Sequence, residues 1–359
     1  MQLMTFFSFL QKFCQSESLL GTCRHHTGIA VMALSSDCGI DLDAVNLAFK
    51  CLYFILFVPA LVLNVMAAWI SWNLNTKSSF VVYLKNLVAA DLLMTFIIPL
   101  RAADRLRGSD PALRAFNCQF GSVLFYLCMY VSIVLMGVIS LDRFFKIVQP
   151  SGKLLGQSAF FGKVVSAVVW VALLSTTTIP TMALTNEDPN RNSSNRNKTA
   201  EMCMAMKSQV GKDYHSAVIS FCNGIFFVVL VITGLCYTGI AKRVIESHRN
   251  SGSANKEGKR KIKARVFVVL AVFLVCFAPY HITRIPYVQS QVVNRINCNW
   301  AVLKAAKIMT LWLATTNVCL DPLIYFLLCK AFRKKLLEVK ILGQWFSTTA
   351  HINSEETSL

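Results

Sequence analysis

Four cations, Arg284, Arg295, Lys304 and Lys307, stand in a stretch from Tyr280 to Trp312 that holds no Asp or Glu. Arginine presents a planar fork to a phosphate or carboxylate, and lysine adds a point charge. Such a set, with no acid to neutralise it, can capture an anion. Each charge-assisted bond contributes about 1.5–3 kcal/mol, and a dry pocket strengthens it. The competing reading is that Arg284 and Lys307 reach to lipid headgroups or loop acids. The absence of acids favours the anion site. A proline stands on either side, in Cys276-Phe277-Ala278-Pro279 and in Asn317-Val318-Cys319-Leu320-Asp321-Pro322-Leu323-Ile324-Tyr325. In an apolar helix each leaves a carbonyl without its partner and makes a kink.

The elements that position these groups are membrane helices. The chain has 359 residues, 55% hydrophobic and 15% charged, with a mean hydropathy of +0.52. Apolar runs over roughly 46–72, 80–102, 116–145, 161–184, 215–241, 263–289 and 301–328 each reach the about 20 residues needed to cross the hydrocarbon. The expected fold is an all-α seven-helix bundle. It comprises an extracellular segment 1–45, a transmembrane domain 46–328 and a cytoplasmic amphipathic helix and tail 329–359. No internal repeat is visible, which weighs against a transporter built from duplicated halves. No zinc motif, serine elbow or phosphate-cradling glycine loop is present, so no enzyme is expected.

The net charge is +18. Lys242, Arg243, Arg249, Lys256, Lys259, Arg260, Lys261, Lys263 and Arg265 cluster between the fifth and sixth runs, and Lys330, Arg333, Lys334, Lys335 and Lys340 follow the seventh. The positive-inside rule puts these in the cytosol and the N-terminus outside, at a plasma membrane. Topology and lipid headgroups account for the basic runs, not nucleic acid.

Of 13 cysteines, Cys38, Cys118, Cys203 and Cys298 fall on the outer side, where disulfides form. The economical pairing is Cys118–Cys203 and Cys38–Cys298, although spacing alone does not determine connectivity. Cys51, Cys128, Cys222, Cys236 and Cys276 read as small buried residues. Asn192 and Asn197 head glycan acceptor triplets in the same outer loop. The first residues lack the basic start of a signal peptide, and 1–31 is expected to be dispensable. The last residues, Thr357-Ser358-Leu359, have the spacing a PDZ domain captures. Hydroxyls from Ser347 to Ser358 are candidate phosphorylation sites.

Polar residues inside the spans are costly and mark function. They are Asn64, Asp91, Ser132, the run Asp142-Arg143-Phe144, Trp170, Tyr237, Asn317, Asp321 and Tyr325. In this order the set resembles the rhodopsin-like G-protein-coupled receptors, over about 40–340. Phe277, where many members have Trp, and Asp321 before proline resemble the purinoceptor branch that senses ADP and UDP-sugars. So do Tyr280-His281-Ile282-Thr283-Arg284-Ile285-Pro286-Tyr287, Leu124-Phe125-Tyr126 and Leu184-Thr185-Asn186.

The resemblance implies a phosphate site at Arg284 and Lys307, with His281 and Tyr287 beside them. It implies base stacking on Tyr126, and further pocket groups at Arg114, Lys207 and His215. Ile308 stands where ADP-sensing relatives have Glu, and Thr181 and Ile219 replace Asn. These changes remove partners for a base or sugar and leave a lysophospholipid as the alternative ligand. The resemblance also implies a switch. Arg143 pairs with Asp142 at rest and meets Tyr237 and a Gi/o protein on activation. Pro279 and Pro322 are the hinges, and Phe273 and Phe277 pack beneath the pocket and report ligand contact to them. Tyr325 closes the inner half. Asp91, Ser132, Asn317 and Asp321 resemble a sodium site, whose oxygens suit a hard cation. Arrestins and receptor kinases are implied partners, and 330–346 reads as a membrane-surface helix.

Overall fold

Asp41 starts the first helix by accepting hydrogen bonds from the amides of Asp43 (2.9 Å) and Ala44 (3.1 Å). This satisfies two of the donors that every helix start exposes. From there α1 runs Leu42–Trp72. It is followed by α2, Ser79–Ala103, α3, Pro111–Val148, and α4, Ala159–Ala183. Then come α5, Gln209–Asn250, and α6, Lys256–Val292. The seventh helix, α7, runs Cys298–Thr315 and resumes as Asn317–Leu328. A short α8 covers 331–338. The computed structural model describes residues 41–74, 78–103, 111–148, 158–186, 202–250, 256–292, 298–329 and 331–338. Segment 1–31, Cys38, Arg295, Asn192, Asn197, the Cys298 side chain and the tail beyond 338 lie outside what is described.

Seven of these helices are long and apolar enough to cross a membrane. The expected spans hold, with three differences. The fifth and sixth helices continue past the apolar runs as polar, basic turns, because neither Lys242–Asn250 nor Lys256–Lys263 contains a proline. The seventh is broken at Thr316, whose amide reaches back to the carbonyls of Trp312 and Leu313 and whose hydroxyl bonds Leu313 at 2.6 Å. Cys51, expected to be a small buried residue, is disulfide-bonded.

The most buried span is α3, with α2 beside it; α4 lies at the rim. Gly162 lets α4 touch α2, since a Cβ there would stand 2.9 Å from the Ser79 Cα. The outer half of α4 contains a π-turn, Leu174–Thr178, just before Pro180. Proline at 180 deprives the Thr176 carbonyl of its helical donor. The Tyr214 hydroxyl from α5 donates to that carbonyl instead. Cys118 at the start of α3 is bonded to Cys203, and a backbone bridge joins Thr185 to Lys207. Together these hold the loop turn Met202–Ala205 over the bundle.

Candidate functional site

The outer half of α6 presents Arg284 to the bundle interior, 6% exposed. Its Nη1 donates to the Tyr130 hydroxyl at 3.0 Å. Its guanidinium carbon lies 4.9 Å from the Tyr126 ring centre and 5.4 Å from that of Tyr280. Those two rings stack at 6.4 Å. From α7, the Lys307 ammonium stands 4.3 Å from the Tyr287 ring. Cation–π contacts of this kind hold a charge in place over an aromatic face. Lys307 and Arg284 both act electrostatically on Tyr126. Lys207, Arg284 and Lys307 act together on the half-buried His215.

Lys207 is buried and donates to the Thr185 hydroxyl. Burial pushes its ammonium down to about 8, because a neutral hydroxyl does not compensate the desolvated charge. Arg114 is half-buried on the first turns of α3. Of the groups expected at the anion site, Arg284, Lys307, Lys207, His215, Tyr126 and Tyr287 therefore lie together at the outer end of the bundle. His281 is the exception. It is fully buried, with Nδ1 on the Phe277 carbonyl at 2.8 Å and Nε2 on the Tyr130 hydroxyl at 3.1 Å.

Arg101, at the outer end of α2, borders the same aromatic groups and was missed by sequence reasoning. It is 4% exposed, and its guanidinium carbon stands 4.1 Å from the Phe125 ring and 5.8 Å from Tyr126. Its Nε and Nη1 are buried with no acceptor among the described residues. A third cation with open donors thus borders Tyr126. The positions expected to have lost nucleoside contacts are spent on structure. Ile308 packs against Phe49 and Leu52 of α1, the Thr181 hydroxyl bonds the Thr177 carbonyl, and Ile219 is buried.

Beneath the pocket, Phe226 stacks on His281 with ring centres 3.9 Å apart, and on Phe273 at 5.8 Å. Phe273 meets Phe277 edge-on at 5.4 Å. Deeper still, Tyr325 donates to Asp91 Oδ2, Ser132 to Asp91 Oδ1 at 3.4 Å, and Asn317 to Asp321 Oδ2 at 2.6 Å. The Oδ1 atoms of Asn64, Asn317 and Asp321 are buried without a donor among the described residues. Among those residues no cluster of three His, Cys, Asp or Glu has metal-holding geometry. A cation here would rest on mixed carboxylate, amide and hydroxyl oxygens.

At the inner end, Asp142 is engaged by Lys146, at 2.7 and 2.8 Å, and by the Ser79 hydroxyl at 2.6 Å. Lys146 stands at i+4, the spacing at which acid and base meet on a helix. The guanidinium of Arg143 lies 3.7 Å above the Phe80 ring and interacts electrostatically with Asp142. Tyr237 and Tyr325 share an apolar cavity with Phe80, Ile139 and Val269. This is the face on which a helix-swinging switch would open.

Comparison with known proteins shows the family. Residues 63–325 match the 7 transmembrane receptor (rhodopsin family). The chain is 39% identical to purinoceptor 13 of Rattus norvegicus, over 95% of its own length and 97% of that protein. It is 39% identical to purinoceptor 14 of Bos taurus, over 85% and 89%. It is 40% identical to G-protein coupled receptor 87 of Mus musculus, over 80% and 78%. The chain is a receptor and multi-pass membrane protein, not an enzyme: it belongs to the rhodopsin family of seven-transmembrane receptors and is related to purinoceptors 13 and 14.

Proposed function

We propose that the chain is a G-protein-coupled receptor for an extracellular nucleotide or nucleotide-sugar, signalling through Gi/o to lower cAMP. The supporting observation is that Arg284 and Arg101 stand 4.9 and 5.8 Å from the Tyr126 ring, with Lys307 beside Tyr287, in a region where the sequence from Tyr280 to Trp312 has no acid. Phosphate groups would sit on Arg284 and Lys307, and the base on Tyr126. Lys207, His215, Arg114 and Tyr287 complete the rim. The names of the relatives, purinoceptors 13 and 14, support a purinergic ligand. The N-terminus faces outward at the plasma membrane, with arrestins and receptor kinases as inner partners.

A sodium ion among Asp91, Ser132, Asn317 and Asp321 belongs to the same proposal. Its support is the set of donor-less oxygens on Asn317 and Asp321 beside Asp91. When bound it would supply the positive charge the two acids lack.

A panel of nucleotides, UDP-sugars and lysophospholipids on transfected cells tests the reading. A nucleotide or UDP-sugar should lower cAMP, and pertussis toxin should block the effect. A response to lysophospholipid alone would replace the ligand class. Ligand uptake or current without G-protein activation would replace the receptor reading with an anion transporter.

A further inference from the structure

Arg284, Tyr130, His281 and the Phe277 carbonyl form a continuous chain of hydrogen bonds. Its direction is set by chemistry. A guanidinium only donates, so the Tyr130 oxygen accepts from Arg284. The Tyr130 proton therefore points to His281 Nε2, which must be the bare nitrogen. The ring hydrogen then lies on Nδ1 and goes to the Phe277 carbonyl. Tyr130, His281 and Arg284 are 3%, 0% and 6% exposed, so water does not compete for these bonds. The chain ends two residues before Pro279, in the turn where α6 kinks. The His281 ring also stacks on Phe226, and Phe226 on Phe273.

We propose that Tyr130 is the coupling residue of this receptor: it relays occupancy of Arg284 to the α6 hinge through His281. This rests on the reading that an anion engages Arg284. An anion draws the guanidinium donors towards itself. Tyr130 then loses the bond that orients its hydroxyl, and His281 loses its donor at Nε2. The imidazole is left free to turn on the Phe226 face and to release the Phe277 carbonyl. The closed chain belongs to the resting state and the open chain to the active one. Differential contact of this kind is what shifts such an equilibrium. Tyr130 is a positioning residue; it need not touch the ligand.

Tyr130→Phe deletes one oxygen and keeps the ring. Losing one buried hydrogen bond from the resting state should raise basal nucleotide exchange on co-expressed Gα subunits by about fivefold. The additional increment produced by ADP or UDP-glucose should shrink, while the affinity of the active probe stays within about threefold, because Arg284 keeps its donors. His281→Asn retains a donor near Nδ1 but has no group at Nε2, so it cuts the same link from the other side. The double variant should do no more than either single one.

Native basal exchange and a native agonist increment in Tyr130→Phe, at equal surface density, would overturn the relay. So would effects that add in the double variant. If Tyr130→Phe does not reach the surface, His281→Asn decides alone by the same two readouts. The basal arm needs no ligand, so it stands if no nucleotide activates the receptor. Conversely, an agonist response that Arg284→Ala abolishes and Tyr130→Phe leaves unchanged removes the relay and keeps the anion site.

Discussion

Asn64 of α1 donates from Nδ2 to the carbonyl oxygen of Val318 in α7, at 2.8 Å. Val318 stands four residues before Pro322, so its carbonyl is the one that the proline leaves without a backbone donor. In lipid an unpaired carbonyl is costly. The asparagine thus makes the α7 kink tolerable and fastens it to α1.

Asn64→Ala should therefore lower the thermal stability of the purified receptor by about 1 kcal/mol, in the range of side-chain bonds between membrane helices. In a Pro322→Ala background, where residue 322 again supplies an amide, the same substitution should cost less. Equal costs in both backgrounds would show that Asn64 acts elsewhere. Melting curves in detergent give all the required values.

Arg284→Ala and Lys307→Ala should each weaken agonist potency by about 10- to 100-fold, the equivalent of one charge-assisted bond, with surface expression kept. Lys307→Arg should retain part of the response, since charge survives and only its shape changes. Concentration–response curves for cAMP, normalised to surface density, check both.

Arg101 gives a prediction of opposite signs. Its Nε and Nη1 carry hydrogens that meet no acceptor among the described residues, and a buried, unpaired cation destabilises a fold. Arg101→Met should raise the melting temperature without ligand and reduce the further rise that ligand produces. Potency should fall by about tenfold, as for one lost charge-assisted contact. A drop in both quantities would mean that Arg101 is structural.

Lys207 predicts a pH dependence. Burial has lowered its ammonium to about 8, so it is charged below that value and loses its proton as pH rises through it. An anion beside it binds the charged form. Affinity should fall by up to about tenfold between about pH 7.5 and 9, by proton linkage. Nucleotide phosphates are already ionised over that window and add no slope. Lys207→Arg, which stays charged, should give a flat profile. A slope that persists in Lys207→Arg would assign the titration to another group.

The bond between Ser79 and Asp142 gives a prediction for the inner face. Ser79→Ala removes one of the donors on a carboxylate that is 9% exposed. Lys146 remains, so the effect should be modest: stability lower by about 1 kcal/mol. Lys146→Met should cost more, because it removes the ion pair at 2.7 Å and leaves Asp142 only the more distant influence of Arg143. A reversed order would show that Ser79, not Lys146, holds Asp142. Thermal melts of the two variants rank them.

The bundle was legible because lipid demands long apolar runs, and α1 to α6 have them with few charges inside. The interruption at Thr316 was not: threonine is no helix breaker, and there its hydroxyl bonds the Leu313 carbonyl and meets Cys276. Arg284 and Lys307 stood out because no acid accompanies them. Arg101 had the same character but sits at a helix end, where cations commonly reach to headgroups. Lys146 was readable as the partner of Asp142 by its i+4 spacing, and the neighbouring Arg143 drew attention from it. His281 was legible as polar and buried. Its partner Tyr130, one aromatic among several in α3, carried no spacing signal, because the contact spans 151 residues.

The tie from Tyr214 to the Thr176 carbonyl bears on how this receptor could be handled. With the Cys118–Cys203 bridge, it makes the outer ends of α3, α4 and α5 a single fastened block. Hinging is left to α6 and α7, which carry Pro279 and Pro322. A nanobody raised against the α4–α5 outer rim should bind resting and active receptor alike and serve as a neutral crystallisation or imaging handle. One raised against the α6–α7 rim should discriminate between them and act as a conformational sensor.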